Sequence, residues 1–185
     1  MDVFVYDLSA NQVELVSIGL DGEPANEEPS RPSISYDGRY VAFNSLASNL
    51  VISDTNATQD VFFYDRELDI TERISVGSDG AQIEQDAFTK RPSISADGRY
   101  VIFYSNAHAL APDCAAADTF NVYLHDRQAG LTTLLTCGYD GYPANGDSLY
   151  PTLSDDGKWA AYYSSASNLV QGDTNYVNDV FLYDI

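Results

Sequence analysis

Positive charge is what this sequence has least of. Nine Lys and Arg stand against 28 Asp and Glu, a formal net charge of −19, and only Lys90 and Lys158 are lysines. Binding phosphates requires Lys or Arg to replace counterions, so this balance argues against nucleic acid and anionic lipid as partners. It suits cations, basic partners or a salty medium, and its plainest reading is a solubilising surface with Asp as a good turn former. Histidine occurs only at His108 and His125, and there is no Gly-x-Ser-x-Gly elbow or zinc-type pair. No apolar run approaches the roughly 18 residues of a membrane helix. The start, MDVFVYDL, lacks a charged segment followed by a longer apolar stretch, so no signal peptide is visible. Helical periodicity is missing too: no segment repeats its apolar residues every 3.6 positions over a helical length.

What is present is repetition. DVFVYD, SIGLDG, RPSISYDGRYVAF and SNLVISDTNATQ return as DVFFYD, SVGSDG and RPSISADGRYVIF. They return again as NVYLHD, TCGYDG, YPTLSDDGKWAAY and SNLVQGDTNYVN, and DVFLYDI closes the chain. The copies open at Asp2, Asp60, Asn121 and Asp179, the last being partial. A fixed period of this length marks a repeat architecture. With 44% hydrophobic and 12% aromatic residues, the 185-residue chain is expected to fold as a single propeller segment with ample core. Met1 sits directly on a repeat boundary, as expected of a free-standing piece of a longer family.

Each copy contains four strand candidates. VFVYD and its equivalents are β-branched and aromatic, as strands buried on both faces should be. VELVSI, TERISV and TTLLTC alternate and look half exposed. The remaining two strands flank Asp37-Gly38, Asp97-Gly98 and Asp156-Gly157, the strongest short hairpin signal. Four antiparallel strands make one propeller blade.

These residues carry a resemblance. PSISADGRYVIF followed by a DVFFYD-type strand resembles the TolB-type, or WD40-like PD40, propeller repeat of bacterial envelope proteins, over nearly the whole chain. The usual Trp before the turn is replaced by Ser33, Ser93 and Thr152. The resemblance implies an all-β propeller with the Asp-Gly hairpin strands innermost, and a periplasmic or extracellular parent family. The chain then reads as an outer pair, two full blades, and two inner strands plus one outer strand: about three four-stranded blades. Three blades are too few for a ring. The expectation is a homodimer completing six blades by two-fold symmetry. DVFLYDI would then duplicate the partner's DVFVYD. The alternative is a fragment of a longer parent without autonomous function.

Several residues are candidates for chemistry. Both long loops of each repeat, residues 19–31 and 47–59 in the first copy, fall on one face, the expected binding surface. Within them, S-N-L-V-x-x-D-T-N-x-x-x-D offers oxygens from Asp54, Asn56 and Asp60, and again from Asp173, Asn175 and Asp179. Such spacing could curl around calcium. It lacks the Gly and Glu of an EF-hand loop, and the competing reading is an Asx-turn that caps strand entry. In the middle copy Cys114 interrupts this segment and Cys137 replaces Ile18 and Val76. Both cysteines fall on the same face of the same blade. A bridge would close a loop of about 23 residues, worth about 3 kcal/mol on the chain-entropy model, and would favour an oxidising compartment; two unrelated buried thiols are the alternative. His125 takes the place of a strand Tyr and reads as packing. Arg31, Arg91, Arg39, Arg99 and Lys158 read as partners of local Asp. A central-channel anion site is the sharper reading of these basic residues, and the overall acidity opposes it. The function expected is a non-catalytic scaffold or binding module whose loop-rich face, with Tyr139, Tyr142 and Tyr176, takes a protein or glycan. The alternative is a hydrolase or lyase with an acidic channel site.

Overall fold

The computed structural model describes residues 1–111, 114 and 119–185. Thirteen strands form four antiparallel sheets among the described residues. The first sheet is the pair β1 (Phe4–Asp7) and β2 (Gln12–Leu15). The second comprises β3 (Ser30–Ile34), β4 (Tyr40–Ser45), β5 (Asp60–Asp65) and β6 (Ile70–Arg73), paired in that order. The third repeats it with β7 (Thr89–Ile94), β8 (Tyr100–Ser105), β9 (Asn121–Asp126) and β10 (Leu131–Leu134). The last holds β11 (Ser148–Leu153), β12 (Trp159–Ser164) and β13 (Asp179–Asp184). Strands β3, β7 and β11 lie beside one another and form the inner rim. The two-, four-, four- and three-stranded sheets are the order read from the repeat.

Alternation along the third strand of each blade explains why it reads as apolar throughout. On β5, Phe62 and Tyr64 face backward into a core with Val3, Val5, Val41 and Phe43. Val61 and Phe63 face forward into a second core with Ile94, Val101, Phe103 and Tyr123. Strand β9 does the same one blade later, with Val122 and Leu124 facing Leu153, Ala160 and Tyr162. Each core is shared by two blades. Strand β13 has no blade beyond it, so Val180 and Leu182, the counterparts of Val61 and Phe63, are 82% and 69% exposed.

The Asp-Gly turns work by the same logic. Ser95 Oγ donates to Asp97 and accepts from the Tyr100 amide, closing the hairpin. Gly98 has φ +69°, and a Cβ there would collide with the ring of Tyr40 from the preceding blade. Tyr100 rests on Gly157 in turn, with its ring 2.9 Å from where a Cβ would sit. The turn glycine is therefore required twice, by backbone conformation and by close approach.

The second outer strands end earlier than their sequence pattern suggests. Strand β6 stops at Arg73, because the Ser75 hydroxyl takes the Val61 amide in place of a backbone carbonyl, at 3.0 Å. Ser17 and Thr136 do the same to Val3 and Val122. A hydroxyl acceptor ends the ladder while leaving the amide satisfied.

Burial of both faces sets the energetic order. Phe63→Ala should destabilise the protein by about 3–5 kcal/mol, whereas Leu182→Ala on the exposed counterpart should change it by no more than about 0.5 kcal/mol. Urea unfolding of the two variants followed by tryptophan fluorescence checks this; equal costs would mean that β13 is also covered.

Candidate functional site

The loop-rich face is built by short polar clamps. In the first copy, Asn26 accepts from the Ser48 amide at 3.0 Å and donates to the Ser48 hydroxyl at 3.1 Å. The Leu20 amide reaches the Asn49 carbonyl at 2.8 Å. The last copy repeats each contact with Asn145, Ser167, Tyr139 and Asn168. These bonds join the two long loops of a repeat and fix both to one face. The middle copy substitutes Glu84, which accepts from the Ala109 amide at 2.8 Å. On the same blade Cys114 and Cys137 form a disulfide, with Cα atoms 6.0 Å apart.

The clamps hold aromatic side chains out into solvent. Tyr139, Tyr142 and Tyr176 are 60%, 70% and 91% exposed. Tyr139 and Tyr142 sit on the loop leaving β10, and Tyr176 on the loop leaving β12. The Tyr139–Asn168 and Asn145–Ser167 contacts tie these two loops together.

The first acidic loop is brought together around a cation supplied by the chain itself. Arg73 Nη1 lies 3.2 Å from Asp54 and 3.8 Å from Asp60. Asn56 turns its amide nitrogen to Asp60 at 3.1 Å, and the Ser75 hydroxyl donates to the same carboxyl. Thr58 and Asn56 then bond the carbonyls of Ala87 and Ile83 in the next repeat. Burial pushes the Asp60 carboxyl up to about 6, against the pull of Ser75, Asn56 and Arg73. Burial also raises Asp54, with Arg73 opposing. In the second loop, neither Asp173 nor Asp179 forms an ion pair among the described residues. There Asn175 donates to both oxygens of Asp179, and the Asn175 amide reaches Asp173 at 3.4 Å. Among the described residues no three His, Cys, Asp or Glu side chains converge as metal donors.

The repeated arginines divide into two groups. Arg39 holds Asp65 and Arg99 holds Asp126 through paired bonds at the Asp-Gly end of the blade, and Lys158 pairs with Asp156. Arg31 and Arg91 depart from the expected pairing, for neither meets a carboxylate among the described residues. Each stands at a register shift of its inner strand, with φ +55°, immediately before a proline. Both lie near the start of their strand, away from the Asp-Gly turn that follows its end. Sequence reasoning missed Arg66 and Arg127, which bond Glu14 and Glu72 of the preceding blade. Their signal was the recurrence of Arg directly after the strand-closing Asp. His125 is buried in β9, as its Tyr-equivalent position implied, and bonds the Thr132 hydroxyl at 2.9 Å.

No protein-family model matches the chain, and a search of curated proteins returns no match. Solved structures do match. TolB from Acinetobacter baumannii is 19% identical with a TM-score of 0.54, over 100% of this chain and 35% of that one. An oligogalacturonate lyase in complex with manganese is 11% identical with a TM-score of 0.59, over 99% and 45%. A protein described as a conserved lipoprotein from Clostridium novyi NT is 11% identical with a TM-score of 0.51, over 86% and 91%. The chain spans about a third of TolB and under half of the lyase. At these identities the likeness shows the fold, a TolB-like β-propeller.

The raised Asp60 carboxyl has a consequence for stability. Burial pushes it from the ordinary 3.8 up to about 6, so the folded state binds the proton more tightly. Its contribution is fully present below about pH 4 and is lost as pH rises through about 6. Asp60→Asn, which reproduces the Asn121 found in the next copy, should remove this part of the pH dependence. Chemical denaturation from pH 4 to 8 checks it: the variant gains on the parent above about pH 6, and parallel curves would show that Asp60 ionises normally.

Proposed function

We propose that this TolB-like propeller segment is a non-catalytic binding module that engages a protein or glycan through its loop-rich face. The observation that carries the reading is the group of exposed tyrosines held on clamped loops. A Tyr offers a large amphipathic surface with few rotors to freeze, which is why aromatic residues dominate binding hot spots. Loops already fixed by Asn and Ser side chains lose little further entropy on contact. The two carboxylates whose pKa is raised, Asp54 and Asp60, are engaged with Arg73 and do not form the pair of acids that an open catalytic cleft would need. This favours binding over a hydrolase or lyase. The Cys114–Cys137 bridge is consistent with an oxidising, periplasmic or extracellular setting.

The test is a screen of immobilised glycans and peptides with the purified chain. Changing Tyr139, Tyr142 and Tyr176 together to Ala should weaken any captured ligand at least about tenfold, with the melting temperature unchanged. Mass spectrometry of the ligand after incubation should show it intact; a shortened product would replace the binding reading with an enzymatic one.

The same reading includes a second copy. The exposed Val180 and Leu182 at one end and Phe4 and Tyr6 at the other occupy positions that are buried between blades inside the chain. Since β13 already fills the third place of its blade, a partner's β1 must be displaced or doubled at the seam. Light scattering should give a mass near twice 20.3 kDa; a monomer at every concentration would end the dimer proposal. Repeating it with EDTA tests calcium: dissociation would make the acidic loops cation sites, and an unchanged mass would leave them as strand caps.

A further inference from the structure

Six of the nine basic side chains make ion pairs: Arg39, Arg66, Arg73, Arg99, Arg127 and Lys158. The other three, Arg31, Lys90 and Arg91, have no carboxylate partner among the described residues. In a chain with 28 acidic residues this is not for want of partners. All three stand on the inner strands β3 and β7.

Arg31 and Arg91 share one cleft. Its walls are Arg31-Pro32, Arg91-Pro92 and Tyr150-Pro151, the same dipeptide position of three successive blades, around a volume of about 260 Å³. All three residues ahead of proline lie in the left-handed region, at φ +55°, +55° and +53°. Each falls at a register shift of its inner strand. Non-glycine residues rarely adopt this conformation, and such strain persists where the surroundings over-determine it, often at ligand clamps. On the first bulge contact between blades, buried Asn44 accepts from the Arg91 amide at 2.9 Å and donates to the Thr89 carbonyl at 2.8 Å. The Arg91 guanidinium lies over the Tyr150 ring, 4.0 Å from its centroid. Tyr150 is held in turn against Tyr104 and Tyr163. The fork is therefore oriented by an aromatic floor, with its hydrogen-bond donors uncommitted to any carboxylate of the chain.

We propose that this inner-rim cleft binds a small organic carboxylate, with Arg31 and Arg91 as its recognition pair. A planar fork matches a carboxylate in geometry as well as charge. The proline and tyrosine walls favour an anion that carries a carbon skeleton over a bare inorganic one. The net charge of −19 adds selectivity. It repels long polyanions, while at physiological salt its field is screened beyond about 8 Å, so a small anion reaches the pair.

The test is isothermal titration calorimetry of the full chain at pH 7.5 with phthalate, a planar dicarboxylate, and with inorganic phosphate. Phthalate should bind saturably at one site, at least about tenfold tighter than phosphate. Arg91→Gln should weaken it at least about tenfold, and Arg91→Lys nearly as much, because an ammonium keeps the charge but not the stacked fork. Lys158→Gln, which removes the same charge elsewhere, should leave affinity unchanged. Arg31 has an exposed side chain, so Arg31→Gln supplies the same reading if Arg91→Gln does not fold. The tyrosine variant of the loop face should bind phthalate normally, which separates this site from that one. Absence of saturable phthalate binding, equal binding by phosphate, or full affinity in Arg91→Gln or Arg31→Gln would overturn the proposal.

Discussion

No blade of this protein can bury its own apolar surface. A strand such as β5 presents Phe62 to one neighbour and Phe63 to the other, and both side chains reach zero exposure only when blades stand on each side. A single sheet leaves one or both faces wet, so stability grows with each blade-to-blade contact. Everything else in the structure is arranged around that contact. Gly98 and Gly157 admit the neighbour's Tyr, and Arg66 and Arg127 reach back to a glutamate of the preceding blade.

The polar devices are repeated because the geometry they serve is repeated. Ser-Asp boxes close each inner hairpin, arginines hold the aspartates that end the third strand, and Ser or Thr hydroxyls terminate the outer ladder. Each partly buried pair contributes modestly. Their common effect is to leave few buried polar groups unsatisfied at the blade ends, where strands stop and backbone donors would otherwise be stranded. The exception is the Nε of Arg73, which is buried without a partner among the described residues. It belongs to the one acidic loop that is closed by an arginine.

Function is expected where the copies differ, since the shared positions are occupied with packing. The loop face varies most: Tyr142 stands where the first copy has Glu23, and Glu84 where the other copies have Asn26 and Asn145. The inner rim varies ahead of its prolines, where Arg31 and Arg91 give way to Tyr150. That change lets a cation in one blade stack on a ring in the next.

The period, the strand class, the Asp-Gly hairpins and the uneven blade count were legible in the chain, because strand propensity and turn chemistry are local and the repeat wrote each of them three times. The two cysteines were legible as breaks in that repeat. Tertiary structure alone decided which charges find partners. Arg39 and Arg31 are both arginines beside a conserved turn or bulge of the repeat, yet one is aimed along the blade at Asp65 and the other into the inner cleft. The acidic loop reads the same in both its copies, and only the fold sets Arg73, at the end of the neighbouring strand β6, beside Asp54 and Asp60. Partnership between charges depends on distance across the chain and on what solvent is excluded between them, and a periodic sequence records neither.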